Sequence, residues 1–219
     1  MCTFVNEAPP ANGENQWVLD NPRMREFIGA IDAIRSKDIA PEAMLEQMRP
    51  HFTRLLADQD WLPAQYQEPF AGSGMGSGIG MWLLYRAGDG SLAFSTLVVP
   101  PGAETPVHDH LAWGLVGLYR GTQDEVVFTR SDDGSVDGKA DLAVFQENHL
   151  VPGDMYDLLP AVDIHRVKTT SDVTSVSLHL LGIDNGCIVR HRFFPDEGTV
   201  ADFKSGYVNS PCEATSAAD

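Results

Sequence analysis

From about Trp82 onward the chain offers no uninterrupted stretch of helix length. Short apolar runs follow one another instead: MWLLYR, SLAFSTLVV, GLVGLYRG, DEVVFTR, LAVFQ, HRVKTT, SVSLHLLG and IVRHRFF, separated by Gly, Pro, Asp and Asn. Branched and aromatic side chains pack well on a pleated surface, and the intervening residue types favour tight turns. The texture therefore predicts many short strands and a β-sandwich or barrel. A parallel doubly wound sheet needs a helix between successive strands and is excluded for this part of the chain.

The lead-in has a different period. After Asn21-Pro22, the residues Met24, Phe27, Ile28, Ile31 and Ile34 recur at three- and four-residue steps, which predicts a helix over Pro22 to Arg35. Met44, Leu45, Met48, Phe52, Leu55 and Leu56 predict a second helix after Pro41, which Pro50 should kink or divide. Both stripes read as packing faces, without a catalytic signature. The stretch GSGMGSGIG (72–80) follows no predicted strand, opens no helix and lacks the Lys-Ser/Thr of a phosphate loop, so it is expected to be a flexible connector. SDDGSVDG (131–138) lacks the closing Glu of a calcium loop and reads as a hairpin loop. The expected organisation is a helical segment over 1–70, a connector over 71–81, a barrel over 82–208 and a frayed tail over 209–219.

Composition narrows the partners. Acidic residues number 31 against 15 basic ones, a net charge of −16, which repels phosphate backbones and anionic membrane surfaces. Nucleic acid and membrane are therefore not expected partners. No apolar run approaches the ~20 residues of a membrane span, and the start MCTFVNEAPP lacks the basic and apolar regions of a signal peptide. A cytoplasmic location is expected. Cys2, Cys187 and Cys212 are odd in number, far apart and without a CxxC, so each is expected to be a free thiol.

The chemistry concentrates in PPGAETPVHDHLAWGLVGLYRG. Residues two apart on a strand share a face, so His108 and His110 project together while Asp109 points away. Two adjacent imidazoles can chelate a metal or form a hydrogen-bonded core pair. A second block, LVPGDMYDLLPAVDIHRV, brings His165 to the entrance of another strand, where it can complete a three-histidine site. Zinc and other first-row metals accept such a set. Ser177, His179 and Leu181 share one face of SVSLHLLG, while His51, His149 and His191 match no motif and read as surface or helper residues. There is no Gly-x-Ser-x-Gly elbow, and Cys187 has no sequence signature of a nucleophile.

These blocks resemble the cupin superfamily. Gly102, His108, His110 and Gly121 match its first motif, and Gly153, Pro160 and His165 its second. The usual first-motif Glu is absent, with Leu111-Ala112-Trp113-Gly114 in its place. Three neutral ligands, together with the DWLP lead-in, the SVSLHLLG strand and the closing FKSGYVN, make the chain similar to the thiol dioxygenases, in particular to the bacterial 3-mercaptopropionate dioxygenase type. The resemblance implies an all-β double-stranded β-helix (jelly-roll) barrel, one Fe(2+) held by His108, His110 and His165, and oxidation of a small thiol carboxylate by O2 to a sulfinic acid. It also implies a relay through Ser177 and His179 and a carboxylate-binding Arg190, with Arg86 and Arg192 as rivals. Leu181 stands where these enzymes carry a tyrosine, and Trp82 where the bacterial type has a polar residue. With no cysteine near the HxH strand, the Cys-Tyr crosslink of the mammalian-type enzymes is not expected. The departure at Leu181 leaves two other readings: a metal cupin of a different reaction class, either O2-dependent carbon-bond cleavage or Lewis-acid chemistry, and a non-catalytic ligand-binding cupin. The sequence does not specify an oligomeric state.

Overall fold

The computed structural model describes residues 13–72 and 74–212; Cys2, the rest of the N-terminal lead-in and the tail beyond residue 212 lie outside it. The first helix, α1 (Pro22–Arg35), begins where the Asn21 side chain accepts the Met24 N–H at 2.9 Å and Pro22 opens the first turn. The second, α2 (Pro41–Ala57), runs through Pro50 undivided, so of the expected kink or division the division does not occur. Met44, Leu45 and Met48 before Pro50 and Phe52, Leu55 and Leu56 after it form one buried stripe. Burying each such side chain yields about 1.5–3 kcal/mol, together more than the ~3 kcal/mol that an internal proline costs.

The described residues form twelve strands, the first of them before α1: β1 (Gln16–Trp17), β2 (Gly80–Arg86), β3 (Ala93–Val99), β4 (Val107–His108), β5 (Gly114–Arg120), β6 (Gln123–Arg130), β7 (Leu142–Leu150), β8 (Met155–Leu158), β9 (Ile164–Thr169), β10 (Ser175–Leu181), β11 (Arg190–Phe194) and β12 (Thr199–Phe203). They form two six-stranded antiparallel sheets, in the orders β1-β2-β3-β10-β5-β8 and β12-β11-β4-β9-β6-β7. The result is the expected all-β architecture of two antiparallel sheets with an N-terminal helical segment. The acidic stretch falls, as expected, in the β6–β7 hairpin connection, where the Asp132 carboxylate accepts the Gly134 N–H at 2.7 Å.

Alternation along β10 sorts the interior. Val176, Leu178 and Leu180 belong to the cluster that receives both helices, together with Phe94, Val98 and Leu115. Ser177, His179 and Leu181 take the opposite face, between the two sheets. One end of that space is filled by Met75, Ile79, Met81, Leu97, Val99, Val167 and Phe203. The Gly-rich segment supplies two of these side chains, and Gly74 N–H donates to the Ser205 carbonyl at 3.3 Å. The other end carries Val116, Leu158 and Leu181 with Tyr156 against them.

The cysteine expectation is corrected. Cys187 and Cys212 form a disulfide, although 25 positions separate them. After β12 the chain returns along β2, where Val208 N–H donates to the Met81 carbonyl at 2.8 Å and Asn209 exchanges hydrogen bonds of 2.9 Å with the Leu83 backbone. That return path carries Cys212 to Cys187, and spacing in the sequence contains no trace of it. No helix among the described residues is long and apolar enough to cross a membrane. Thiol titration of the denatured, unreduced chain should find 3 − 2 = 1 free thiol, and Cys212→Ser should lower the unfolding free energy in urea by about 2–4 kcal/mol.

Candidate metal centre

Strand β4 is only two residues long, yet it sits between β9 and β11 with His108 directly opposite His165. His110 follows in the loop after β4. All three imidazoles are buried, and one ligand nitrogen from each lies within 4.8 Å of the others. The Nδ1 atoms face outward from this cluster: that of His108 meets the Pro106 carbonyl at 2.8 Å, that of His110 the Asp163 carbonyl at 3.3 Å, and that of His165 the Glu125 carboxylate at 2.7 Å. With Nδ1–H donating to these oxygens, the Nε2 lone pairs are left to converge on a metal.

The loop that aims His110 is strapped down. Leu111 adopts φ 57°, in the left-handed region that costs a non-glycine residue about 1–2 kcal/mol. The Asp163 carboxylate accepts the N–H groups of His110 and Leu111 at 3.0 and 2.8 Å, and Asn185 donates to the His110 carbonyl at 2.9 Å. Asp109 points away, as the period-2 rule predicts, and its carboxylate holds the His191 backbone N–H at 2.8 Å and the His191 ring at 2.5 Å. His191 is thus a helper residue of the loop. His149 pairs at the surface with Asp124, and His51 with Arg54.

Burial, the neighbouring imidazoles and the charge of Arg190 push His108 and His110 well below the ordinary imidazole range, so both are neutral and able to ligate. Burial acts to raise the Glu125 carboxyl. Hydrogen bonds from His165, Asn148 and Tyr156 outweigh that and hold it below its usual value. The donor set fits a first-row divalent metal: three imidazole nitrogens converge, and a buried carboxylate stands directly behind one of them.

Ser177 and His179 lie together on the interior wall, with 2.9 Å between Ser177 Oγ and His179 Nε2. Leu181 continues that row and packs on Val116, Leu158 and Tyr156. Arg190 is 1% exposed; it donates to the Asp109 carbonyl at 2.7 Å and to Ser205 Oγ at 3.1 Å, and its guanidinium lies 4.6 Å from the centre of the Phe203 ring. Its Nε has no partner, and among the described residues it makes no ion pair. Burial brings its pKa down to about 10.

Two further residues singled out by sequence do not join this group. Arg86 binds Gln16, Asp184 and Ser210, fastening β1 and the returning C-terminal segment. Trp82 is opposite Thr96, which is opposite Leu178, so its indole lies on the helix-covered face of the sheet, away from the histidines. Its Nε1–H donates to the Glu68 carbonyl at 2.9 Å.

Sequence reading missed Glu125, Asn148, Tyr156, Asp163 and Asn185. For Glu125 a signal was present, an acidic residue inside the apolar run DEVVFTR; the others become visible only through contacts across strands. Beside His165 a cavity of about 320 Å³ has mainly apolar walls that include Val127, Phe145, Tyr156, Leu158 and Val162.

No protein-family model matches the chain. Among solved structures, an oxalate oxidase in complex with the substrate analogue glycolate is similar at 13% identity, over 58% of this chain and 61% of that one, with a TM-score of 0.42. Another oxalate oxidase structure matches over 43% of each chain, at 14% identity and a TM-score of 0.35, so the match spans less than half of that protein. A cupin-2 domain from Rhodospirillum rubrum is 15% identical over 46% of this chain and 56% of its own, with a TM-score of 0.34. Likenesses this distant carry no argument about substrate or reaction.

Burial also drives the His179 pKa down, to about 3, so that this ring takes up a proton only on unfolding. Its contribution to stability is fully present above the unfolded-state value near 6.5 and is lost as pH falls, by about 1.4 kcal/mol per pH unit. In metal-free protein His108 and His110 act in the same direction. Urea unfolding at pH 7 and pH 5 should therefore show wild type losing roughly 2 kcal/mol more than His179→Gln.

Proposed function

We propose that the protein is a mononuclear iron-dependent thiol dioxygenase acting on a thiol that also carries a carboxylate. The observation that carries this reading is Arg190: a buried guanidinium, beside three buried imidazoles, whose hydrogen-bond acceptors are a backbone carbonyl and a hydroxyl. A buried cation without a paired anion is costly, and a bidentate carboxylate is its natural complement. Iron(II), held by His108, His110 and His165, would bring thiolate and O2 together so that both oxygen atoms pass to sulfur, R–S⁻ + O2 → R–SO2⁻.

The residues of the chain define how the substrate sits. Arg190 anchors the carboxylate and turns the sulfur toward the three Nε2 atoms. Ser177 and His179 present a polar edge on the β10 wall, and neutral His179 can donate or accept a hydrogen bond within the pocket. Leu181 makes the continuation of that wall apolar, and the cavity beside His165 extends the apolar surface outward. Such a wall favours a substrate tail larger than that of cysteine or 3-mercaptopropionate. Trp82, on the outer face, has no part in this pocket. The absence of a phenol at position 181 favours a second reading, a metal cupin of another reaction class.

Oxygen uptake with a panel of thiols decides between them. A bulky thiol carboxylate should consume one O2 per sulfinate formed and be preferred over 3-mercaptopropionate; no turnover of any thiol by metal-loaded protein would favour the second reading. Arg190→Ala should raise the KM for a carboxylate-bearing thiol by about one to two decades, the equivalent of ~1.5–3 kcal/mol. A matched aminothiol without the carboxylate should respond little, which separates the anchor from a folding defect. Leu181→Tyr should move the ratio of kcat/KM values back toward the small thiols.

A further inference from the structure

Glu125 is 1% exposed, and among the described residues no Lys or Arg pairs with it. Its carboxylate accepts His165 Nδ1–H at 2.7 Å and the Asn148 side-chain amide at 2.8 Å, and Tyr156 donates a third hydrogen bond. These donors come from β9, β7 and β8, while Glu125 itself is on β6. Four strands thus converge to hold one anion behind one of the three imidazoles. No Lys or Arg among the described residues supplies a fixed positive charge to it, and the His165 ring links the carboxylate to the space where the three imidazoles converge.

We infer that Glu125 is a positioning residue of the metal centre: it fixes the ring of His165 and supplies the negative charge that the three imidazoles lack. A carboxylate behind a ligating imidazole locks its tautomer and orientation and raises its basicity, and removing such a partner typically weakens metal binding by 10–100-fold. Asn148 and Tyr156 keep the carboxylate aimed. Tyr156 also stands 5.9 Å from His165, ring centre to ring centre, and lines the adjoining cavity, so the same network forms part of the wall that a bound molecule would touch. The inference rests on the three-histidine metal site and not on the thiol chemistry.

The test is titration of chelator-treated protein with Co(II) against a competing chromophoric chelator, with the visible cobalt bands recorded alongside. Glu125→Ala should bind Co(II) 10–100-fold more weakly than wild type, and Glu125→Gln, which keeps the shape and one acceptor but loses the charge, at least several-fold more weakly. Both should shift the cobalt bands. Asn148→Ala, which leaves the carboxylate in place, should weaken binding in the same direction by a smaller factor, and it serves if Glu125→Ala does not fold. Glu125→Gln matching wild type in both affinity and spectrum would overturn the role of Glu125. Failure of wild type to bind Co(II) would overturn the metal centre itself.

Discussion

The two-residue strand β4 is the joint on which the candidate site depends. It pairs with β9 on one side and β11 on the other, so one short segment sets His108 against His165 and brings Arg190, two residues from the partner of His108, into the same interior. Strand pairing is discrete, because a one-residue slip turns every side chain to the opposite face. Register therefore delivers the ligands and the guanidinium together or not at all. The loop after β4 is held with similar firmness, since the left-handed turn at Leu111 persists only while Asp163 and Asn185 occupy its backbone groups.

Charge is arranged asymmetrically about the three imidazoles. Glu125 lies behind His165, held by three hydrogen bonds, whereas among the described residues Arg190 retains an unpaired Nε and makes no ion pair. The buried negative charge faces the metal position through an imidazole, and the buried positive charge faces outward from backbone and hydroxyl acceptors. A metal dication and an anionic substrate would neutralise the two. Burial magnifies this complementarity, because interactions that water would screen at the surface are several-fold stronger in the interior.

The helical segment contributes by covering one sheet. With α1 and α2 packed on Phe94, Val98, Leu178 and Leu180, the outer face of β10 is committed to core, and its alternate residues are left to line the interior. Trp82 belongs to that covered face for the same reason. A large aromatic near the start of the barrel is thus a packing residue here, and the apolar character of the pocket comes from Leu181, Val116 and Leu158.

The sequence by itself determined the two helices and most of the strands, because hydrophobic period and turn chemistry are local properties. It also determined the shared face of His108 and His110 and that of Ser177, His179 and Leu181, which follows from the two-residue repeat alone. Tertiary structure decided what depends on partners distant in the chain. Burial on both sides of Pro50 carried α2 through the proline, and the return of the chain along β2 joined Cys187 to Cys212. Register across β6, β7 and β9 placed Glu125 and Asn148 beside His165, the facing sheet brought Tyr156 on β8 against them, and pairing with β3 sent Trp82 to the outer face. A strand's sequence states which residues share a side; only its neighbours decide which side is the interior.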